Sequence, residues 1–366
     1  MATTAAPALR FTRVPHPAPA AADVRAQVLA NPGFGTKFSD HMVSIDWSES
    51  EGWHNAQILP YGPIALDPAA AVLHYAQEIF EGLKAYRLAD GGIALFRPEA
   101  NAARFNASAR RLAMAEIPED LFIAAVEQLV LTDKDWFPTV EGGSLYLRPF
   151  MFASEAFLGV RPAKAYRFMV IASPAGNYFK SGSPAVSIWV SDYTRAAPGG
   201  TGAAKCGGNY AASLVPTAEA FARGHDQVLF LDAAEHKWIE ELGGMNLFFA
   251  FDDGSIVTPP LGGTILPGIT RESLIALARE EGLTVREERY SLDQWRADAA
   301  SGKLVETFAC GTAAVVTPVG KVADHNGEFT IGSGGPGQLT QKLRQRLVSI
   351  QRGEAADSHG WVKKIA

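Results

Sequence analysis

The sequence predicts a mixed α/β (α+β) chain of two domains. Three observations carry that expectation. Its 366 residues exceed what one simple hydrophobic core organises. In both halves, β-branched and aromatic runs of strand length alternate with stretches of helical period. Between the halves, residues 173–184 bring Pro, Gly, Asn and Ser in quick succession, the chemistry of a connection and not of an element. The expected division is 1–173 as a small N-terminal α/β domain preceded by an arm, 174–184 as a linker, and 185–366 as a large C-terminal domain.

In order along the chain, residues 1–31 are rich in Ala and Pro and lack the apolar centre of a signal peptide, so they read as an exposed arm. Asp46 to Ile58 reads as a strand and a polar turn, and 71–80 is apolar and helix-compatible. Residues 81–87 and 91–96 read as a hairpin turning at Asp90-Gly91-Gly92. Pro98 suits the first position of a helix in which Phe105, Ala109 and Leu112 recur at helical spacing. Asp120 is placed to cap a second helix through Asp133, and 144–152 and 166–172 are strand-like.

In the second half, 185–190 is a strand, 211–222 a helix and 228–232 a buried strand. Asp253-Gly254 is a strong two-residue hairpin signal between 246–251 and 255–258. Thr270 is the expected cap of a helix that Gly282 ends, and 339–352 is a late helix whose Lys342, Arg344 and Arg346 read as a solvated face.

Composition excludes several classes. A net charge of −6 argues against non-specific nucleic-acid binding, which needs a clustered basic surface. No apolar run approaches the roughly 20 residues of a membrane helix. Two cysteines, Cys206 and Cys310, make neither a disulfide framework nor a four-ligand zinc site. They suit a reducing, cytoplasmic compartment. The scattered histidines imply no metal.

The densest chemical signal is Gly199-Gly200-Thr201-Gly202-Ala203-Ala204-Lys205-Cys206-Gly207-Gly208-Asn209-Tyr210. Five glycines within ten residues are costly in chain entropy. A Walker loop needs Gly before the Lys and Ser or Thr after it, and here Ala204 and Cys206 stand there. The dinucleotide pattern fails because Lys205 occupies the third glycine position. Two readings remain on the residues alone: a solvated lysine in a flexible loop, or a lysine held in a crowded loop as a Schiff-base nucleophile. A second glycine-rich turn, Gly262-Gly263-Thr264-Ile265-Leu266-Pro267-Gly268, precedes the helix near Thr270, where free N–H groups suit a phosphate.

Taken together, Phe80-Glu81-Gly82-Leu83-Lys84-Ala85-Tyr86, Leu95-Phe96-Arg97-Pro98 with Asn101 and Arg104, Tyr146-Leu147-Arg148-Pro149, the lysine loop, Glu240-Glu241-Leu242-Gly243-Gly244-Met245-Asn246, Leu266-Pro267-Gly268 and Gly311-Thr312-Ala313-Ala314 resemble the branched-chain amino-acid aminotransferases. These are pyridoxal-phosphate enzymes of fold type IV, and the likeness runs from about Phe34 to the late helix. It implies transamination of L-leucine, L-isoleucine and L-valine with 2-oxoglutarate by a ping-pong route. It implies pyridoxal 5'-phosphate as cofactor, held mainly by the 185–366 domain. Lys205 resembles the cofactor lysine, Glu241 the acid at the ring nitrogen and Tyr210 the tyrosine at the phenolic oxygen. Arg104, the Thr264-Ile265 backbone and the Thr312 hydroxyl resemble the phosphate cup, with Gly244 beside the ring where several relatives carry threonine.

The resemblance further implies that Thr312-Ala313 receive the substrate α-carboxylate and that Arg148 helps accept the second carboxylate of glutamate. Phe34, Tyr75, Tyr146 and Tyr178 resemble an aromatic pocket for an aliphatic side chain. Tyr75 and Leu158-Gly159-Val160 come from the neighbouring subunit in that family, which implies a homodimer. Glu240 is the expected solvated turn acid beside Glu241. Ala314 and Thr317 stand where some relatives carry a redox Cys-x-x-Cys, so no such switch is expected. The alternatives are a D-amino-acid aminotransferase or aminodeoxychorismate lyase of the same fold, or a non-catalytic binding relative.

Overall fold

The computed structural model describes residues 9–176 and 185–366, in two compact units of nearly equal length: 1–178 with 359–366, and 179–358. The tail 359–366, expected in the second domain, thus belongs to the first, which is not the smaller of the two.

The first unit contains β1 (Thr12–Arg13), α1 (Ala22–Ala30), β2 (His41–Ser48), β3 (Gly52–Pro60), α2 (Ala71–Tyr75), β4 (Glu78–Phe80), β5 (Leu83–Arg87), β6 (Ile93–Phe96), α3 (Pro98–Arg111), α4 (Glu119–Thr132), β7 (Ser144–Ala153) and β8 (Ala165–Ala175). The second runs through β9 (Val186–Val190), α5 (Gly207–Ala211), α6 (Leu214–Ala222), β10 (Gln227–Leu231), β11 (Ile239–Leu242), β12 (Asn246–Phe251), β13 (Ser255–Thr258), α7 (Ile269–Glu280), β14 (Thr284–Glu287), α8 (Leu292–Ser301), β15 (Leu304–Gly311), β16 (Val315–Asp324), β17 (Gly327–Thr330) and α9 (Gln338–Gln351). The closing strand, β18 (Val362–Lys364), is part of the first unit.

The first sheet has the order β1-β3-β2-β8-β7-β5-β6-β18, with β4 also on β7. Phe105 of α3 and Phe122 of α4 meet Phe168 of β8 with ring centroids 5.5 and 5.7 Å apart, which anchors both helices to the sheet. β18 pairs antiparallel with β6, from Val362 against Phe96 to Lys364 against Ala94. Without it β6 would be an open edge. Phe96 and Arg97 also hold Trp361, through a ring contact and a cation over the indole, and the Arg97 N–H donates to the Trp361 carbonyl at 2.7 Å.

The second sheet has the order β11-β10-β9-β16-β15-β12-β13-β14, with β17 on β16. β9 is parallel to both β10 and β16, so the stretch between β9 and β10, lysine loop included, is a crossover connection. Trp295 of α8 is fully buried on this sheet, edge-on to Phe249 at 5.1 Å.

Several local expectations are corrected by longer-range contacts. The 71–80 stretch is a short helix and a strand, broken where Ala76 turns left-handed (φ 49°). The 211–222 helix is two helices: Ser213 closes a turn on the Tyr210 carbonyl, and Pro216 has no N–H for the Ala212 carbonyl. Helix α4 has Pro118 at its N-cap, and Asp120 lies inside it. Helix α7 begins at Ile269 with Gly268 as N-cap, and Thr270 is buried inside it. A Cβ at 268 would lie 2.0 Å from Asn246 Oδ1, so only glycine fits. The face of α9 is not merely solvated: Arg344 donates to the Val316 carbonyl at 2.7 Å, and Arg346 pairs with Glu280 and Glu281.

Candidate active site

The lysine loop is a folded structure. Asn209 Nδ2 donates to the carbonyls of Thr201 and Ala204, both at 2.8 Å, and Thr201 Oγ1 lies 2.7 Å from Asn209 Oδ1. The Ala203 N–H donates to Gly263 at 3.1 Å, joining the two glycine-rich stretches. A Cβ on Gly202 would lie 2.5 Å from the Thr264 carbonyl oxygen and 2.7 Å from the Thr264 Cα, which explains the glycine. From this frame Lys205 Nζ donates to Tyr210 Oη at 2.8 Å. Cys206 is buried beside it, as a small hydrophobe should be.

Glu241 leaves β11 with 4% of its surface exposed. Its Oε1 is 2.5 Å from Arg195 Nη2 and accepts the Leu266 N–H at 3.2 Å, while Oε2 accepts from Asn246 at 3.4 Å. Burial pushes its carboxyl up to about 7; Arg195, the Leu266 amide and Lys205 pull it back, and Glu240 pushes with the burial. Arg195, Gly202, Tyr210, Glu241, Gly244 and Leu266 line one cleft. A Cβ on Gly244 would meet nothing within 4 Å, so the residue leaves space there and is not required by contact.

Arg195 is the residue that sequence reasoning missed. Besides Glu241 it donates to the Thr264 carbonyl, and to that of Gly202 at 3.4 Å. Its one signal was being the sole cation between β9 and Lys205. Glu240, expected to be a solvated turn acid, is buried on β11 and takes the Thr264 hydroxyl at 2.5 Å. Ile265 is buried next to Thr264. Thr312 and Ala313 form the turn between β15 and β16, followed by Val315 at φ 62°, a left-handed conformation costly for a β-branched residue.

The other expected residues lie in the first unit. Arg104 on α3 pairs with the fully buried Glu81, Nε to Oε1 at 2.7 Å and Nη2 to Oε2 at 2.9 Å; Asn101 also donates to Glu81, at 2.8 Å. A bidentate pair of this kind sets the plane of the guanidinium. Phe34 meets Tyr146 edge-on at 5.0 Å, and Arg148 Nη2 donates to Tyr146 Oη at 3.2 Å with its guanidinium 4.8 Å over Phe80. Gly82 leaves room for that phenol: a Cβ there would be 2.2 Å from Tyr146 Oη. Tyr75 stands apart from these, 40% exposed, with its hydroxyl on the Leu158 carbonyl. Tyr178 lies outside the described residues.

The sequence model of amino-transferase class IV matches residues 78–322. The branched-chain-amino-acid aminotransferase of Mycolicibacterium smegmatis is 58% identical over 362 residues, 98% of each chain. The chain belongs to the branched-chain amino-acid aminotransferases of class IV. Among solved structures, the Escherichia coli branched-chain amino acid aminotransferase superposes with a TM-score of 0.74 at 29% identity, covering 88% of this chain and all of that one. The T.th. branched-chain amino acid aminotransferase with pyridoxamine 5'-phosphate gives 0.73 at 29% identity, covering 88% of this chain and 99% of that one. The chain has the type IV aminotransferase fold. Among the described residues no helix is long and apolar enough to cross a membrane, and no group of His, Cys, Asp and Glu is arranged to hold a metal ion.

Proposed function

We propose that this chain moves the amino group of L-leucine, L-isoleucine or L-valine to 2-oxoglutarate in two half-reactions, with pyridoxal 5'-phosphate as cofactor. One observation carries the reading: a phenol that a lysine amine meets at 2.8 Å lines one cleft with a buried acid held by an arginine. The donor set fits the cofactor. A lysine answers an aldehyde, a tyrosine a phenolic oxygen, and an acid a pyridine nitrogen. When bound, that cofactor supplies an electron-poor ring that accepts the charge released at the substrate α-carbon.

The chain's own residues do the rest. Lys205 would hold the cofactor's aldehyde carbon, and its free amine would take the proton from the substrate α-carbon. Tyr210 holds the phenolic oxygen, and Glu241 keeps the ring nitrogen protonated. Arg104 and the Thr312 hydroxyl receive the phosphate, with Gly244 leaving space beside the ring. Thr312-Ala313 receive the α-carboxylate. Phe34, Tyr75, Tyr146 and Tyr178 enclose the aliphatic side chain, and one methylene changes such binding by only about 1–3 kcal/mol, so all three substrates are used.

The test is the cofactor's absorption as L-leucine and then 2-oxoglutarate are added: bleaching and recovery support the reading, and no change ends it. D-leucine is expected to be inert, whereas bleaching by D-leucine alone would favour a D-amino-acid aminotransferase. Arg148→Met is expected to slow the glutamate half-reaction at least about tenfold more than the leucine one, since a charged hydrogen bond is lost only there. Equal losses in single-turnover assays would remove that role.

A homodimer is the smallest competent unit in this reading, with cytoplasmic location, and Tyr75 and Leu158-Val160 reach the partner's site. The exposure of Leu158 (65%) and Val160 (88%) supports this. Light scattering at assay concentration is expected to find a dimer, and a fully active monomer would refute it.

A further inference from the structure

Arg195 brings a buried positive charge to the cleft. Its side chain is 6% exposed, and that of Glu241 beside it 5%. Its Nη2 lies 2.5 Å from Glu241 Oε1 and also donates to the carbonyls of Thr264 and Gly202. Three stretches thus meet on one side chain: the lysine loop, the turn before α7, and β11. Gly202 lets them approach, because a Cβ there would lie 2.7 Å from the Ala196 Cβ as well as 2.5 Å from the Thr264 oxygen.

The two oxygens of Glu241 are not equivalent. Each carboxylate oxygen offers about two acceptor sites. Oε1 uses both, for Arg195 and the Leu266 N–H. Among the described residues Oε2 takes only the Asn246 amide, at a long 3.4 Å. It therefore keeps capacity for one more donor at short range. A staple for two carbonyls would not need a charge, since a neutral amide also carries two N–H donors. Stability does not account for the charge either, because a buried ion pair is often no better than well-packed apolar groups. What the pair sets is the direction of the carboxylate and its ionised form: burial favours the neutral acid, and the guanidinium opposes it.

We propose that Arg195 is a positioning residue for Glu241, occupying Oε1 so that Oε2 accepts the N–H of the cofactor ring. This rests on the pyridoxal 5'-phosphate reading above. The distinguishing experiment titrates cofactor-free protein with pyridoxal 5'-phosphate and, separately, with its 1-deaza analogue, in which a C–H replaces the ring nitrogen. Only the first offers Glu241 an N–H. Wild-type protein is expected to prefer it about tenfold or more. Arg195→Gln is expected to weaken pyridoxal 5'-phosphate about tenfold or more and the analogue by less than about twofold.

Arg195→Gln combined with Glu241→Gln is expected to lose no more preference than Glu241→Gln alone, because the arginine acts through that carboxyl. Arg195→Lys keeps the charge but not the planar fork and is expected to retain less than half of the wild-type preference. Should Arg195→Gln not fold, Arg195→Lys carries the test alone. Equal weakening of both ligands, or of neither, in a folded variant overturns the role of Arg195 while leaving the functional reading intact. Equal affinity of the wild type for both ligands also overturns it, since no ring N–H is then held. Wild-type protein that takes up neither ligand overturns both the role and the reading.

Discussion

Lys205→Ala is expected to lose about 10⁴-fold or more in turnover with L-leucine and 2-oxoglutarate. General-base transfer alone is worth about 10²–10⁴-fold, and the anchoring amine is lost as well. The fold should survive: the Lys205 side chain reaches Tyr210, and the loop is held instead by Asn209, Thr201 and Gly263. The measurement is a single-turnover trace of the reconstituted variant, beside borohydride reduction and peptide mapping of the wild type. The reduced adduct is expected on Lys205. An adduct on another residue, or a variant with near-normal turnover, would remove this lysine from the mechanism.

Glu241 has the largest expected effect on stability. Glu241→Ala leaves Arg195 buried without its acid, and breaking a buried pair in that way costs about 3–5 kcal/mol. Glu241→Gln spares most of that and is expected to lower kcat about 10²–10³-fold, because a neutral amide does not hold the ring nitrogen protonated. The pH dependence of the cofactor-free protein is a separate consequence. Burial raises this carboxyl from 4.5 to about 7, so the folded state keeps a proton that the unfolded chain has released. The stabilisation is complete below about pH 4.5 and is lost as pH rises through about 7, on the order of 3 kcal/mol in all. Thermal unfolding between pH 5 and 8 is expected to show that decline in the wild type and a flatter profile in Glu241→Gln. Identical slopes would mean that Glu241 does not titrate in this window.

Much of the site was legible because its parts are short and ordered in the chain. Glycines crowd Lys205, Tyr210 follows five residues later, and Glu241 sits in a strand-turn motif with Asn246. The residues that hold them were less legible. Arg195 acts on Thr264, 69 residues away, and Glu81 orients Arg104 from a strand end 23 residues before it. No local pattern marks such a pair. Glu240 and Glu241 are adjacent and chemically identical, and only the strand's alternation, with both faces covered, gives each its own partners.

By itself the sequence determined the α/β class and the hairpins at Asp90-Gly91-Gly92 and Asp253-Gly254. Those depend on backbone preferences and apolar periodicity, which act between near neighbours. Tertiary structure alone decided that the tail returns to β6, that helix α7 starts at Ile269 under Asn246, and that Glu240 is buried against Thr264. Edge pairing, close approach and desolvation are set by atoms distant in the chain, so their outcome exists only once the sheets have formed.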